Sequence, residues 1–294
     1  MMQAKPECFP CILAALLHSA RMATDDEWLL RKVLGETMDV LRDADATRTP
    51  PEIATEALQH IGRVLGRRDV YEEERRRVNA LAGRVADQAK RKIEHAADPL
   101  YAALKMAAVA NTIDSLVDEN AEPEEVVAAF ERVSFVAEDY DAFRRELSAA
   151  ERMLYIFDNA GEIFFDALLV ERLLARRPGP EIKGVVRSAP VFNDATVEDA
   201  RAAGLDGKIP LVDCGVETVG TPLHSCSKEF QETFMETDLI LAKGQGNYET
   251  LESEISPGRP FSGKSVYFLL TVKCEVVSDT LGHPVGTALL VKEV

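Results

Sequence analysis

The sequence has no apolar run approaching the roughly 20 residues that a membrane-spanning helix requires. Its first residues, MMQAKPECFPC, lack the basic-then-apolar order of a secretory signal, so a cytoplasmic location is expected and a membrane partner is not. Positive charge is scarce: 34 lysines and arginines stand against 50 acids, a formal net charge of −16. A nucleic-acid backbone needs a basic face, so that partner is not expected either. A small phosphorylated ligand is still compatible, because one metal ion or a few placed cations reverse the local field inside a cleft.

Cysteine is sparse and odd in number, five in all, which speaks against a disulfide framework. Cys8 and Cys11 form a single CxxC, and neither a second pair nor a His-rich partner follows. Reduced thiols packed at a helix start are therefore expected ahead of a zinc site or a redox pair. Cys214, Cys226 and Cys274 are scattered, and His18, His60, His95, His224 and His283 show no metal spacing. The phosphate loop GxxxxGK(S/T) and the hydrolase elbow GxSxG are absent, and GxGxxG is incomplete, so P-loop, serine-hydrolase and dinucleotide readings have no support.

What is present is an ordinary globular composition, with 46% hydrophobic and 29% charged residues over 294 positions, enough for one large domain or two smaller ones. Residues 1–150 read as an all-helical domain. Helical spacing covers 11–22, 28–41, 51–65, 71–97, 99–117, 122–130 and 139–147, with Asp25-Asp26, Thr49-Pro50-Pro51 and Asp98-Pro99 as start signals. In the Pro99 segment, Asn111 and Asp114 share a face; they either cap the helix end or look onto a cleft.

Texture changes at Arg152. Strand-like runs at 153–157, 182–186, 209–212, 239–242 and 266–271, with a final one at 286–291, alternate with helices at 163–176, 196–203, 227–237 and 248–252. Residues 151–294 thus read as an α/β domain with a mainly parallel sheet and flanking helices, the last strand admitting an antiparallel edge position. The helical part is expected to pack on this sheet.

Each unusual polar cluster of this half follows a strand: Asp158-Asn159, then Arg187 with Asn193-Asp194, Asp213, the run Lys243-Gly244-Gln245-Gly246-Asn247, and Lys273. In a parallel sheet these strand ends share one edge. Two aspartates and an amide there make an oxygen-only set that suits Mg²⁺ or Mn²⁺. Lys243 and Lys273 suit phosphate oxygens, and Gly244 and Gly246 let backbone amides approach an anion. Acids for a metal beside lysines for an anion describe metal-assisted phosphoryl chemistry. The plainer alternatives are that Asp158 and Asp194 cap helices and that Lys243–Asn247 is a turn. Asp213 and Glu162 read as structural. The second aspartate that haloacid-dehalogenase phosphatases carry two positions on is missing after Asp158.

Taken together, Asp98-Pro99-Leu100, Asn111-Thr112-Ile113-Asp114, Asp158-Asn159-Ala160-Gly161-Glu162, Phe192-Asn193-Asp194-Ala195-Thr196, Lys243-Gly244-Gln245-Gly246-Asn247-Tyr248 and Thr271-Val272-Lys273-Cys274 form a pattern that resembles the metal-dependent damage-control phosphatases, long catalogued as domain of unknown function eighty-nine. Cys8-x-x-Cys11 is similar to the prokaryotic branch. The resemblance runs over nearly the whole chain and implies a divalent metal, Mg²⁺ or Mn²⁺ with Ni²⁺ or Co²⁺ as further candidates, held by Asp158, Asn159 and Asp194. It implies Gln245, Asn247 and Lys273 against a small phosphorylated metabolite, with Lys243 and Arg187 close by. Asp158, Asn159, Asp194 and Lys273 would then carry the hydrolysis of a phosphate monoester of a damaged or surplus metabolite. A positioned water and Asp158 itself both qualify as nucleophile. Leu270, Gln245 and Glu249 stand where the eukaryotic branch has an arginine, an acid and an arginine; these differences weigh on a sugar-phosphate preference, not on the metal site. Two other readings are an S-adenosylmethionine-dependent carboxyl methyltransferase, for which Asp158–Glu162 is a poor cofactor turn, and a non-catalytic metal- or metabolite-binding protein.

Overall fold

The computed structural model describes residues 2–112, 122–176 and 178–293. Among these residues the chain forms twelve α-helices and one seven-stranded sheet. Helices α1 (Cys8–Ala23), α2 (Glu27–Asp43) and α3 (Pro50–Leu65) come first. Asp26 caps α2 by accepting from the amides of Trp28 and Leu29, and Thr49 with Glu52 forms a capping box ahead of the two prolines that open α3. Ile12, Leu16, Leu30, Val33, Ile53 and Ile61 hold these three helices together in a cluster of their own.

The long α4 (Glu72–Glu94) and α5 (Pro99–Val109) follow, α5 capped by Asp98 and continued by a 3-10 turn over Ala110–Thr112. Asp114 lies outside the described residues. Next come α6 (Pro123–Arg132), the two-residue strand β1 (Phe135–Val136) and α7 (Tyr140–Ala149). The α/β half then runs β2 (Arg152–Ile156), α8 (Glu162–Leu174), β3 (Glu181–Val186), α9 (Val197–Ala202), β4 (Leu211–Asp213), α10 (Lys228–Glu236), β5 (Leu239–Lys243), α11 (Gln245–Ile255), β6 (Ser265–Thr271), α12 (Glu275–Leu281) and β7 (Ala288–Glu293).

The strand order is β1-β7-β6-β5-β2-β3-β4. From β6 to β4 all pairs are parallel, and their strands are nearly unbroken apolar runs because helices cover both faces. β7 is antiparallel to β6 but is not an edge, since β1 pairs outside it. That pairing corrects the reading of residues 1–150 as wholly helical. The packing also crosses that boundary. Leu81, Val85, Leu104, Phe130 and Phe143 from α4 to α7 share one core with α8 and the sheet face carrying Tyr155 and Tyr267, whereas α10, α11 and α12 cover the other face.

One feature of the topology positions the site. From β2 the chain moves outward through β3 to β4, then returns to lay β5 on the opposite side of β2. The carboxyl ends of β2 and β5 therefore flank the switch point, where open α/β sheets bind ligands. Ile156 pairs with Ala242 there, so Asp158 and Gly244 leave the sheet side by side.

Candidate functional site

Asp158 sits two residues past β2, and its neighbourhood is built by the segment 191–196 folding back between the ends of β2 and β3. The amide of Ala195 donates to the carbonyl of Asp158 at 2.8 Å, that of Ala160 to Asn193 at 2.9 Å, and that of Arg187 to Ala195 at 3.0 Å. Asn159 and Asp194 form a bridge pair in the process. Phe192 takes a left-handed φ of 45° at the head of this segment, which is costly for an aromatic residue and is held by the Arg75 guanidinium on its carbonyl and by the Tyr71 ring at 5.5 Å. Two plainer sequence readings fall away here: Thr196, not Asp194, caps α9, and Gly161 occupies the N-cap position of α8.

Asp158, Asn159 and Asp194 are all buried and all line one cleft of about 490 Å³. Gly244 backs Asp158: a Cβ built on it would land on the Asp158 carboxylate, and its φ of 92° is one that glycine adopts freely. Gln245 and Gly246, the first turn of α11, and Lys273 on the loop after β6 complete this end of the cleft. Lys273 is exposed, and its amide donates to the Gln245 side chain at 2.9 Å.

Behind these groups lies a second tier that sequence reasoning placed differently. Arg187 donates to Asp194 at 3.0 Å, to the sulfur of Cys214 at 2.8 Å and to the carbonyl of Gly220. Lys243 is held by Glu162 and, at 3.2 Å, by Asp166, which also accepts from the Tyr155 hydroxyl at 2.7 Å. The amide of Asn247 spans the carbonyls of Phe157 and Lys243, and its oxygen accepts from Thr221. All three residues are fully internal and none lines the cleft. They brace the strand ends instead. Asp213 closes a turn with the amide of Gly215.

Glu162 joins the tiers. It accepts from the amides of Asn159 at 2.7 Å and of Asn111, and both amides also donate to Asp158, at 2.9 and 3.0 Å. Asn111 thus looks into the site, and its own oxygen is buried without a hydrogen-bond partner among the described residues. A buried amide oxygen left open is costly unless a donor or cation meets it.

Charge balance points the same way. Asp158, Glu162, Asp166 and Asp194 are buried at this corner, against only Arg187 and Lys243. Burial, with Glu162 and Asp194 nearby, pushes the Asp158 carboxyl well above the ordinary range, and Lys273 and Lys243 only partly offset it. Burial lifts Asp194 to about 6 in spite of Arg187. Burial opposes the charge on Lys243, but Asp166 and Glu162 outweigh it and hold the ammonium above its usual value. The residues therefore fit a hard divalent cation: two carboxylates, an amide and two units of surplus negative charge, all oxygen donors. Among the described residues no three His, Cys, Asp or Glu side chains close a cage by themselves, so amide or water oxygens would complete the shell.

Comparison with known proteins decides the family. Residues 4–289 match the family described as damage-control phosphatase ARMT1-like domain. The chain belongs to this family. It is 33% identical over 293 residues to a damage-control phosphatase of Pyrococcus horikoshii, covering 99% of this chain and 98% of that one. A damage-control phosphatase of Archaeoglobus fulgidus is 34% identical over 290 residues, 97% of each. The crystal structure of a DUF89 family protein from Pyrococcus horikoshii superposes with a TM-score of 0.88 at 32% identity, over 100% of both chains. The prokaryotic-type CxxC opens α1 as free thiols, and Cys8, Cys11 and Cys274 all line the cleft. Sequence spacing gave no sign of that meeting, because Cys274 is brought there only by the sheet.

Proposed function

We propose that the protein is a metal-dependent phosphomonoesterase acting on a small metabolite. The observation that carries this reading is the surplus of buried carboxylate at the switch point, with Asp158 and Asp194 opening onto the cleft. Asp158, Asn159 and Asp194 would hold a divalent cation such as Mg²⁺ or Mn²⁺. When bound, it supplies charge neutralisation and Lewis-acid polarisation of the phosphoryl group.

The protein's own residues do the rest. Lys273, the one lysine on the cleft wall among the described residues, offsets charge on the equatorial phosphoryl oxygens. The amino end of α11 adds partial positive charge beside it. Glu162, anchored by Lys243, fixes the amides of Asn159 and Asn111, so the oxygen set is oriented before ligand arrives.

Hydrolysis of an aryl phosphate is expected to vanish with chelator and to return with Mg²⁺ or Mn²⁺; turnover unaffected by chelator would overturn the reading. A pH effect follows as well. Because Asp194 titrates at about 6 in the folded chain against an ordinary 3.8, the metal-free protein gains stability from its proton at low pH. That stability is full below 3.8 and is lost as pH rises through about 6. A bound cation needs the carboxylate deprotonated and reverses the dependence. The rise in Tm given by saturating Mn²⁺ should therefore shrink as pH falls through 6, and an increment independent of pH would contradict the ligand assignment.

A further inference from the structure

The cleft, about 490 Å³, is larger than a phosphoryl group needs, and its lining is of two kinds. One is Asp158, Asn159, Asp194 and Lys273. The other is apolar: Ile12 of α1, Pro51 and Ala54 of α3, Val219, and Val276 of α12. These side chains offer no hydrogen bonds, so a polyhydroxylated organic group would lose its water there without replacement. An alkyl or cyclic hydrocarbon body would lose nothing polar.

Three glutamates interrupt this apolar lining, and one of them is buried. Glu249, on α11, is only 8% exposed and lines the cleft, steadied by the Gln245 side chain. Among the described residues it makes no ion pair, although Lys273 is near enough to favour its charged form, and burial pushes it up to about 7. Glu7 and Glu275, both exposed, line the same cleft. With Asp158 and Asp194 satisfied by a metal and Lys273 by phosphate, Glu249, Glu7 and Glu275 are left without a counter-charge among the described residues that line the cleft. A buried carboxylate at the edge of an apolar pocket gains most from a ligand ammonium group, which would be both its hydrogen-bond donor and its counter-charge.

We propose that the substrate is the phosphate monoester of an amino alcohol with a mainly apolar body, its ammonium group received by Glu249 and its phosphate by the Asp158–Asp194–Lys273 end. This rests on the phosphatase reading and names the class of ester. It makes Glu249 a specificity-determining residue. A site built to pair with a substrate polar group rejects the analogue that lacks it far more strongly than an apolar pocket rejects a missing methylene.

Three esters with the same kind of primary alkyl leaving group separate the possibilities: 6-aminohexyl phosphate, hexyl phosphate and a hexose 6-phosphate. With Mn²⁺-loaded enzyme, kcat/KM is expected to be about a thousandfold higher for the aminohexyl than for the hexyl ester, and lowest for the hexose ester. In Glu249→Gln the aminohexyl-to-hexyl ratio should fall towards one. A hexose ester turned over best, a hexyl ester equal to its aminated analogue, or a ratio unchanged in Glu249→Gln would each overturn the inference while leaving the phosphatase reading in place. Calorimetry with 6-aminohexylphosphonate and hexylphosphonate reads the same preference without turnover. Tighter binding of the aminated phosphonate, with no ester hydrolysed, would retain the inference and overturn the phosphatase reading alone.

Discussion

Asp158→Asn is expected to cost about 4 kcal/mol of transition-state stabilisation, roughly a thousandfold in kcat/KM for a phosphate monoester at saturating Mn²⁺. The substitution keeps the shape of the side chain but removes one of the two aspartates among the described residues that line the cleft. The same change should raise the Tm of the metal-free protein. Burial and the neighbouring Glu162 and Asp194 hold Asp158 well above its ordinary value, so burying this titratable carboxyl is a stability cost at neutral pH that the asparagine lacks. Activity and stability moving in opposite directions is the signature of a residue kept for function. A variant that lost activity and stability together would mark Asp158 as structural, and turnover like that of the wild type would remove it from the site. Steady-state kinetics and thermal unfolding with chelator present read the two effects separately.

Lys243→Met has the opposite character. The methionine roughly matches the lysine stem in an apolar setting, but Glu162 and Asp166 are left buried with their shared cation gone. Removing one partner of a buried pair costs about 3–5 kcal/mol, because an uncompensated charge remains. Protonation of Asp166, which titrates at about 6, absorbs part of that cost at low pH. The destabilisation measured by urea unfolding should therefore be large at pH 7.5 and smaller at pH 5. A loss below about 1 kcal/mol at neutral pH would show that Lys243 is not the keystone of the second tier. Activity should also fall, since Glu162 would no longer be held where it orients Asn159 and Asn111.

These two residues show how far the sequence carries. Both follow or end a strand of the parallel sheet, and position alone put them at the ligand-binding edge. That edge is real, and the switch point between β2 and β5 explains why residues 158, 194, 245 and 273 line one cleft. What strand-end position does not encode is depth. Asp158 leaves the sheet past β2 towards the cleft, whereas Lys243 is still inside β5 and turns towards α8. The clue to its true role was within α8 itself: Glu162 and Asp166, one helical turn apart in the otherwise apolar stretch 162–170, are acids that could be buried only against a cation. Arg187 is hidden for the same reason, its partners Cys214 and Gly220 arriving from the loop beyond β4.

Other features were below the resolution of any pattern. The strand Phe135–Val136 has two residues, too few to show an alternation, and exists because β7 offers it an edge. Gly244 and Gly246 read as a turn, yet α11 begins at Gln245: the first glycine makes room for Asp158 and the second lies in the first helical turn. The long helical, strand and capping signals, by contrast, survived because each is enforced locally as well as by packing. Glu249 stood out only as a difference from the eukaryotic pattern, and its burial on the cleft wall became visible once α11 was placed.

The proposed chemistry requires a divalent cation between Asp158 and Asp194 on oxygen ligands. Crystals grown with Mn²⁺ and measured near the manganese absorption edge would locate it. An anomalous peak is expected about 2.0–2.2 Å from oxygens of Asp158 and Asp194. A peak at Cys8, Cys11 and Cys274 instead, or a well-ordered Asp158–Asp194 corner with no peak at saturating Mn²⁺, would contradict it.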